Sequence, residues 1–95
     1  MKNLIFEWDE KKNKENIKKH KISFDVAKEV FYDDNAILFD DPEHSIDEDR
    51  FLIIGIIQNL NIYVVSHCYR ETEGIIRIIS ARKATKKERE FYERW

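Results

Sequence analysis

Three cations crowd the stretch Ile75-Ile76-Arg77-Ile78-Ile79-Ser80-Ala81-Arg82-Lys83. Its apolar, β-branched run reads as a strand in the middle of a sheet. A guanidinium inside such a strand must reach solvent, pair with an acid or face an anion, because stripping water from a charge costs several kcal/mol. Arg82 and Lys83 stand where this strand ends and a helix begins, a junction where loops commonly carry function. One chemistry such cations could serve is cleavage of an RNA phosphodiester. That reaction needs a base for the 2′-hydroxyl, cations around the pentacoordinate phosphorane and an acid for the leaving oxygen. The cationic contribution is often the largest of the three. Arg77, Arg82, Lys83 and Arg50 are the cations expected near strand ends. His67 offers an imidazole for proton transfer near neutral pH, and Glu71, in the next turn, could act as a base or orient a partner. The reading requires these groups to gather about one phosphate. It competes with blander ones: an ordinary strand histidine at 67, an internal ion pair at Arg77 and a structural pair between Arg50 and the acidic loop before it.

The elements that must hold these groups follow from hydrophobic periodicity. Residues 4–8 form a short strand with Phe6 and Trp8 on one face. Asp9 is an N-cap for a helix running to about Lys19. That helix has an unusual stripe, Asn13, Asn16, Ile17 and His20, of which only Ile17 is apolar. Side chains of this kind fix a helix to a sheet by hydrogen bonds more often than they do chemistry. His20-Lys21-Ile22 is a turn. Ser23 caps a second helix whose Phe24, Ala27, Val30 and Phe31 form a proper apolar face.

A strand over residues 36–39 is followed by an acidic loop containing His44, whose spacing fits no closed metal site. Residues 51–57 are apolar at both parities, as in a strand covered on both sides, and Gly55 within it marks a bulge or a close approach. Asn59-Leu60-Asn61 turns the chain. On the next strand Ile62, Val64, Ser66 and Cys68 share one face, and Tyr63, Val65, His67 and Tyr69 the other. The strand at Ile75 completes an antiparallel meander. Thr85-Lys86-Lys87-Glu88 is a capping box opening a last helix with Phe91, Tyr92 and Trp95 on its apolar side. The expectation is one α+β domain over residues 1–95, in two layers. The sheet is mostly antiparallel, with two N-terminal helices on one face and the C-terminal helix closing that face or the edge.

Charge and composition narrow the function classes. The net charge of −2 argues against a generic nucleic-acid binder, but the charges are segregated. Residues 10–21 hold six lysines and two glutamates, residues 33–49 hold eight acids and no Lys or Arg, and residues 77–95 hold seven basic residues and three acids. Such a layout allows a positive patch on one face. Lys18, Lys19 and Lys21 could hold RNA backbone or merely solvate a helix end. One cysteine excludes an intramolecular disulfide and suits a reducing cytosol. No stretch is long and apolar enough to span a membrane, and Met1-Lys2-Asn3-Leu4 has no secretory h-region. Gly-rich phosphate loops, serine elbows and cysteine-rich zinc motifs are missing from the sequence.

Several of these residues recur as a pattern: Phe6-Glu7-Trp8-Asp9, Lys12, Asn16, Lys19-His20 and Ser23-Phe24, then Asp41-Pro42-Glu43-His44-Ser45, Glu48 and Arg50. Arg77-Ile78-Ile79-Ser80-Ala81-Arg82-Lys83-Ala84-Thr85 follows, and then Glu88-Arg89 and Tyr92. In this order and spacing they resemble the BrnT family of bacterial toxins over nearly the whole chain. The resemblance implies a RelE-like fold and a metal-independent endoribonuclease, with no cofactor, that cleaves cellular RNA to stop translation and growth. It also implies a BrnA-type antitoxin partner, contact with operator DNA only through that antitoxin, no membrane association, and a toxin–antitoxin complex in which the toxin could be dimeric. It assigns catalysis to Arg82 and Lys83. Arg77, His67 and Glu71 are the further catalytic candidates, and Arg50, Lys19 and His20 the candidates for substrate binding. Lys83 stands where many relatives carry Arg, which keeps the charge but loses the bidentate fork. Lys21 replaces a common Gly. The alternatives are a degenerate toxin that only binds its antitoxin or co-represses with it, and a nucleic-acid-binding module of another kind.

Overall fold

The computed structural model describes residues 4–46, 48–70 and 74–94. Strands β1 (Ile5–Glu7), β2 (Ile37–Asp40), β3 (Phe51–Ile56), β4 (Ile62–Tyr69) and β5 (Ile75–Lys83) form one sheet in the order β1-β5-β4-β3-β2. All pairings are antiparallel except that of β1 with β5. The meander β3-β4-β5 is as expected, and β3 lies inside the sheet.

Helix α1 (Glu10–His20) and helix α2 (Phe24–Ala27), which tightens into a 3-10 turn over Lys28–Tyr32, cover one face. Phe24, Ala27, Val30 and Phe31 pack there with Ile53, Tyr63, Val65, Ile76, Ile78 and Ala81, flanked by Phe6 and Trp8. Both helices start as their sequences dictate. Asp9 accepts a hydrogen bond from the Lys11 amide at 2.8 Å, and the Ser23 hydroxyl from the Val26 amide at 3.1 Å.

Helix α1 has a polar inward face, with Asn13 and Asn16 as its buried residues. Each side chain completes backbone that would otherwise be orphaned. Asn13 Oδ1 accepts from the Phe24 amide at 2.8 Å. Asn16 Oδ1 accepts from the Ala81 amide at 3.0 Å, and its Nδ2 donates to the carbonyls of Ala81 and Ile22, also at 3.0 Å. Asn16 thus stands in for a neighbouring strand beside β5, beyond the point where β1 ends. These two asparagines are structural fasteners.

Helix α3 (Lys86–Arg94) departs from the two-layer expectation. It lies on the opposite face of the sheet, where Tyr92 packs with Phe39, Leu52, Ile54, Ile56, Ile62, Val64 and Ala84. The reason is strand parity: β3 and β4 are apolar on both sides, so one helical layer leaves a second apolar face uncovered. The Tyr92 hydroxyl donates a short hydrogen bond to Asp33, whose carboxylate also accepts from the Ile56 amide. Burial, with Asp33 adding to it, raises the Tyr92 phenol to about 12. Gly55 is a close approach: a Cβ there would sit 2.8 Å from Val30 Cγ1 and 3.1 Å from Asp33 Oδ2.

One irregularity decides where the cations point. Ser66 pairs with Ser80, but His67 pairs with Ile78, so Ile79 is an extra residue in β5. Simple alternation would put Arg77 and Arg82 on opposite faces. The bulge restores them to one face, opposite Cys68 and Val64 respectively, and lets Ile78 and Ala81 both point into the core.

Candidate active site

A hollow of about 430 Å3 opens at the end of β5, lined by Lys19, His20, Lys21, Arg82, Lys83 and Thr85. It brings together residues more than 60 positions apart in the chain. The last turn of α1 carries Lys19 and His20 to its wall. Lys21 ends that helix with φ at 61°, the left-handed conformation usually reserved for glycine. Asn16 holds Ala81, the residue before Arg82, against the same helix. Although neighbours in a strand leave it on opposite faces, Arg82 and Lys83 both border the hollow.

Arg82 is fixed in place. Its Nη1 donates to Glu88 Oε1 at 2.7 Å and its Nη2 to Glu88 Oε2 at 3.0 Å. Glu88 also completes the expected capping box: its Oε1 accepts from the Thr85 amide at 2.8 Å, and its own amide donates to Thr85 Oγ1. The Arg82 hydrogen bonds, with the Thr85 amide assisting, hold the Glu88 carboxyl at about 2, and the guanidinium is correspondingly raised. Four positive side chains around one concavity, one of them held in place, suit a phosphate. By contrast, a hollow of similar volume, about 400 Å3, has Glu29 and Asp33 in its wall and does not.

The other candidates lie elsewhere. Arg77 does not line this hollow. It stands five positions earlier on β5, roughly 15 Å at strand spacing, and its Nη1 meets Glu7 Oε2 at 3.3 Å. The same oxygen accepts from Arg70 Nη1 at 2.9 Å. The expected convergence of His67 with Arg77 is not met. His67 is fully buried on the other face, its ring centroid 4.8 Å from that of Phe31. Its Nδ1 lies 3.2 Å from the Val65 carbonyl and its Nε2 3.2 Å from the Tyr69 hydroxyl. A proton on Nδ1 satisfies both, with Nε2 accepting from the tyrosine. Burial lowers its pKa to about 4, so the ring is a neutral core group near pH 7.

Arg50 sits beside the acidic loop, its Nε 3.8 Å from Glu48 Oε1 and without a hydrogen bond. It lines two smaller hollows with Asp40, Asp49, Glu43 and Glu48, where a phosphate would meet carboxylates. Cys68 is buried, and desolvation, then Glu48, pushes its thiol up, away from the reactive thiolate. Glu71 and Trp95 lie outside the described residues. Among the described residues no cluster of three metal-ligating side chains forms, and no helix is long and apolar enough to cross a membrane. Lys21 reads from the sequence either as a holder of RNA backbone or as a solvated helix end, and Thr85 and Glu88 go unread as parts of this site. The capping box was the available signal for the last two, since an acid tied to a helix start near Arg82 must lie close to it.

The family model for the ribonuclease toxin BrnT of type II toxin–antitoxin systems matches residues 8–88. The chain belongs to the BrnT family. These toxins are ribonucleases, and membership in a type II system implies an antitoxin partner. The crystal structure of the Brucella abortus ribonuclease toxin BrnT superposes with a TM-score of 0.66 at 26% identity, covering 88% of this chain and 100% of that one. No curated protein matches the chain. The match to BrnT spans both halves of the hollow, the end of α1 and the β5–α3 junction.

Proposed function

We propose that this BrnT toxin cleaves RNA without a metal ion, at the hollow where the end of α1 meets the end of β5. The observation that carries the reading is the convergence of Lys19, Lys21, Arg82 and Lys83 with the imidazole of His20 around one concavity. Arg82 and Lys83 take the non-bridging oxygens of the scissile phosphate and stabilise the charge that builds on the phosphorane. Lys19 and Lys21 hold neighbouring backbone phosphates. With His67 in the core, His20 is the imidazole that serves one of the two proton transfers. The 2′-oxygen attacks phosphorus, the bond to the 5′-oxygen breaks, and the 2′-hydroxyl proton passes to a base while the 5′-oxygen takes one from an acid. The products are a 2′,3′-cyclic phosphate and a 5′-hydroxyl.

The antiparallel meander behind two N-terminal helices supports a RelE-like description of the fold. The partner is an antitoxin of the BrnA type that also binds the operator, and the toxin acts on RNA in the cytoplasm. The test is to incubate purified protein with RNA in EDTA and to analyse the product ends. Cyclic phosphate and 5′-hydroxyl ends are expected. Cleavage only when a divalent cation is restored would overturn the metal-free reading. Protein that binds antitoxin tightly yet leaves RNA intact would make it a binding protein instead.

A further inference from the structure

We infer that Glu88 is a positioning residue for Arg82, choosing which edge of the guanidinium faces the RNA phosphate. The inference rests on the reading of the hollow as the RNA site. A guanidinium offers two parallel donor pairs: one from Nη1 and Nη2, the other from Nε and Nη2. The two oxygens of Glu88 occupy the first pair, at 2.7 and 3.0 Å. Nη1 is further engaged by the Lys83 carbonyl at 3.4 Å. Among the described residues no hydrogen bond uses Nε, and the second hydrogen on Nη2 lies beside it. The Arg82 side chain is 40% exposed and borders the hollow. The open edge matches two oxygens of a phosphate, as a bidentate arginine contact requires.

Glu88 is itself held from behind. Its backbone amide donates to Thr85 Oγ1 at 3.2 Å, and Oε1 accepts from the Thr85 amide at 2.8 Å. The start of α3 therefore orients the carboxylate, and the carboxylate orients the arginine. A lone ion pair this exposed contributes little to stability. One that removes rotational freedom from a phosphate-binding group acts through the geometry of the transition state. The opposing view makes Glu88 a competitor that phosphate must displace.

Glu88→Gln separates the two, because glutamine still completes a capping box but carries no charge. As a positioning residue, Glu88 should cost about tenfold in kcat when changed, with KM for RNA unchanged or lower, since an acid has left the neighbourhood of a polyanion. Unfolding should stay near that of the wild type, and the change should add no further loss in an Arg82→Ala background. In ¹⁵N spectra the Arg82 Nε–H should shift when an uncleavable 2′-deoxy oligonucleotide binds. A kcat equal to or above the wild-type value, or an Nε–H unmoved by bound oligonucleotide, would overturn the inference. Wild-type cleavage by Arg82→Ala would instead remove the site reading beneath it, so the two failures are told apart.

Discussion

Asn16 links the fold to the chemistry, and its removal should be felt in both. Its side chain makes three hydrogen bonds of 3.0 Å to the backbone of Ala81 and Ile22, and the residue is 6% exposed. Asn16→Ala leaves one amide and two carbonyls without that partner in a largely dry place. Each unmet buried group costs about 1–3 kcal/mol, and partial hydration of the gap recovers some of it. A total near 3 kcal/mol is expected, a large share of the roughly 5–15 kcal/mol that holds a domain of this size. In urea, with a slope of about 1.5 kcal/mol per molar, the midpoint should fall by about 2 M. Asn16→Asp is the sharper variant. It keeps the acceptor for the Ala81 amide but sets a carboxylate against two carbonyl oxygens, so it should be more destabilised at pH 7 than at pH 4. Because Ala81 precedes Arg82, RNA cleavage should fall even at temperatures where each variant is folded. A loss under about 1 kcal/mol for Asn16→Ala, with full activity, would refute the view that this residue substitutes for a strand and seats the arginine.

Other consequences follow from single residues. His67 titrates at about 4 in the folded chain against 6.5 in the unfolded one. The unfolded state therefore binds the extra proton first as pH falls. The stability from the neutral ring is full above pH 6.5 and is lost down to about 4, up to roughly 3 kcal/mol. Urea titrations across that range should show this slope in the wild type and not in His67→Gln, and a flat wild-type profile would contradict the assigned burial. Lys21 occupies a left-handed position at 61°. Lys21→Gly should raise stability by about 1 kcal/mol while lowering RNA affinity and flattening its salt dependence by about 0.7 on the log–log slope. A variant that gains stability with an unchanged salt slope would show that Lys21 meets no phosphate.

Much of this architecture is legible in the residues because single periodicities dominate. The alternation from Ile62 to Tyr69 assigns both faces of β4, and the polar stripe of α1 announces its asparagine contacts. Ser23 and the Thr85–Glu88 box mark helix starts through local hydrogen bonds that need no tertiary context. What escapes is set by long-range register. Ile79 is chemically indistinguishable from its neighbours, yet as the unpaired residue of β5 it reverses the facing of everything before it. The burial of His67 depends on Phe31 arriving from another element, and the side chosen by α3 depends on which face the first two helices leave bare. Within the site, Arg82 and Lys83 stand out as cations ending an apolar strand. That Lys19, His20 and Lys21 join them follows only from the docking of α1 through Asn16. Arg77 and Arg50 carry the same charge but do not line that hollow, Arg77 lying beside Glu7 and Arg50 beside Glu48.

In the proposed mechanism one end of β5, and not the strand as a whole, cleaves RNA. Single-turnover cleavage by Arg82→Ala and Arg77→Ala, compared in protein confirmed as folded, separates the two. Arg82→Ala should lose about 100-fold, the scale seen when one donor to a developing oxyanion is removed, and Arg77→Ala should stay within about threefold of wild type, on the scale of a surface substitution. Equal losses in both, or a greater loss at Arg77, would contradict it.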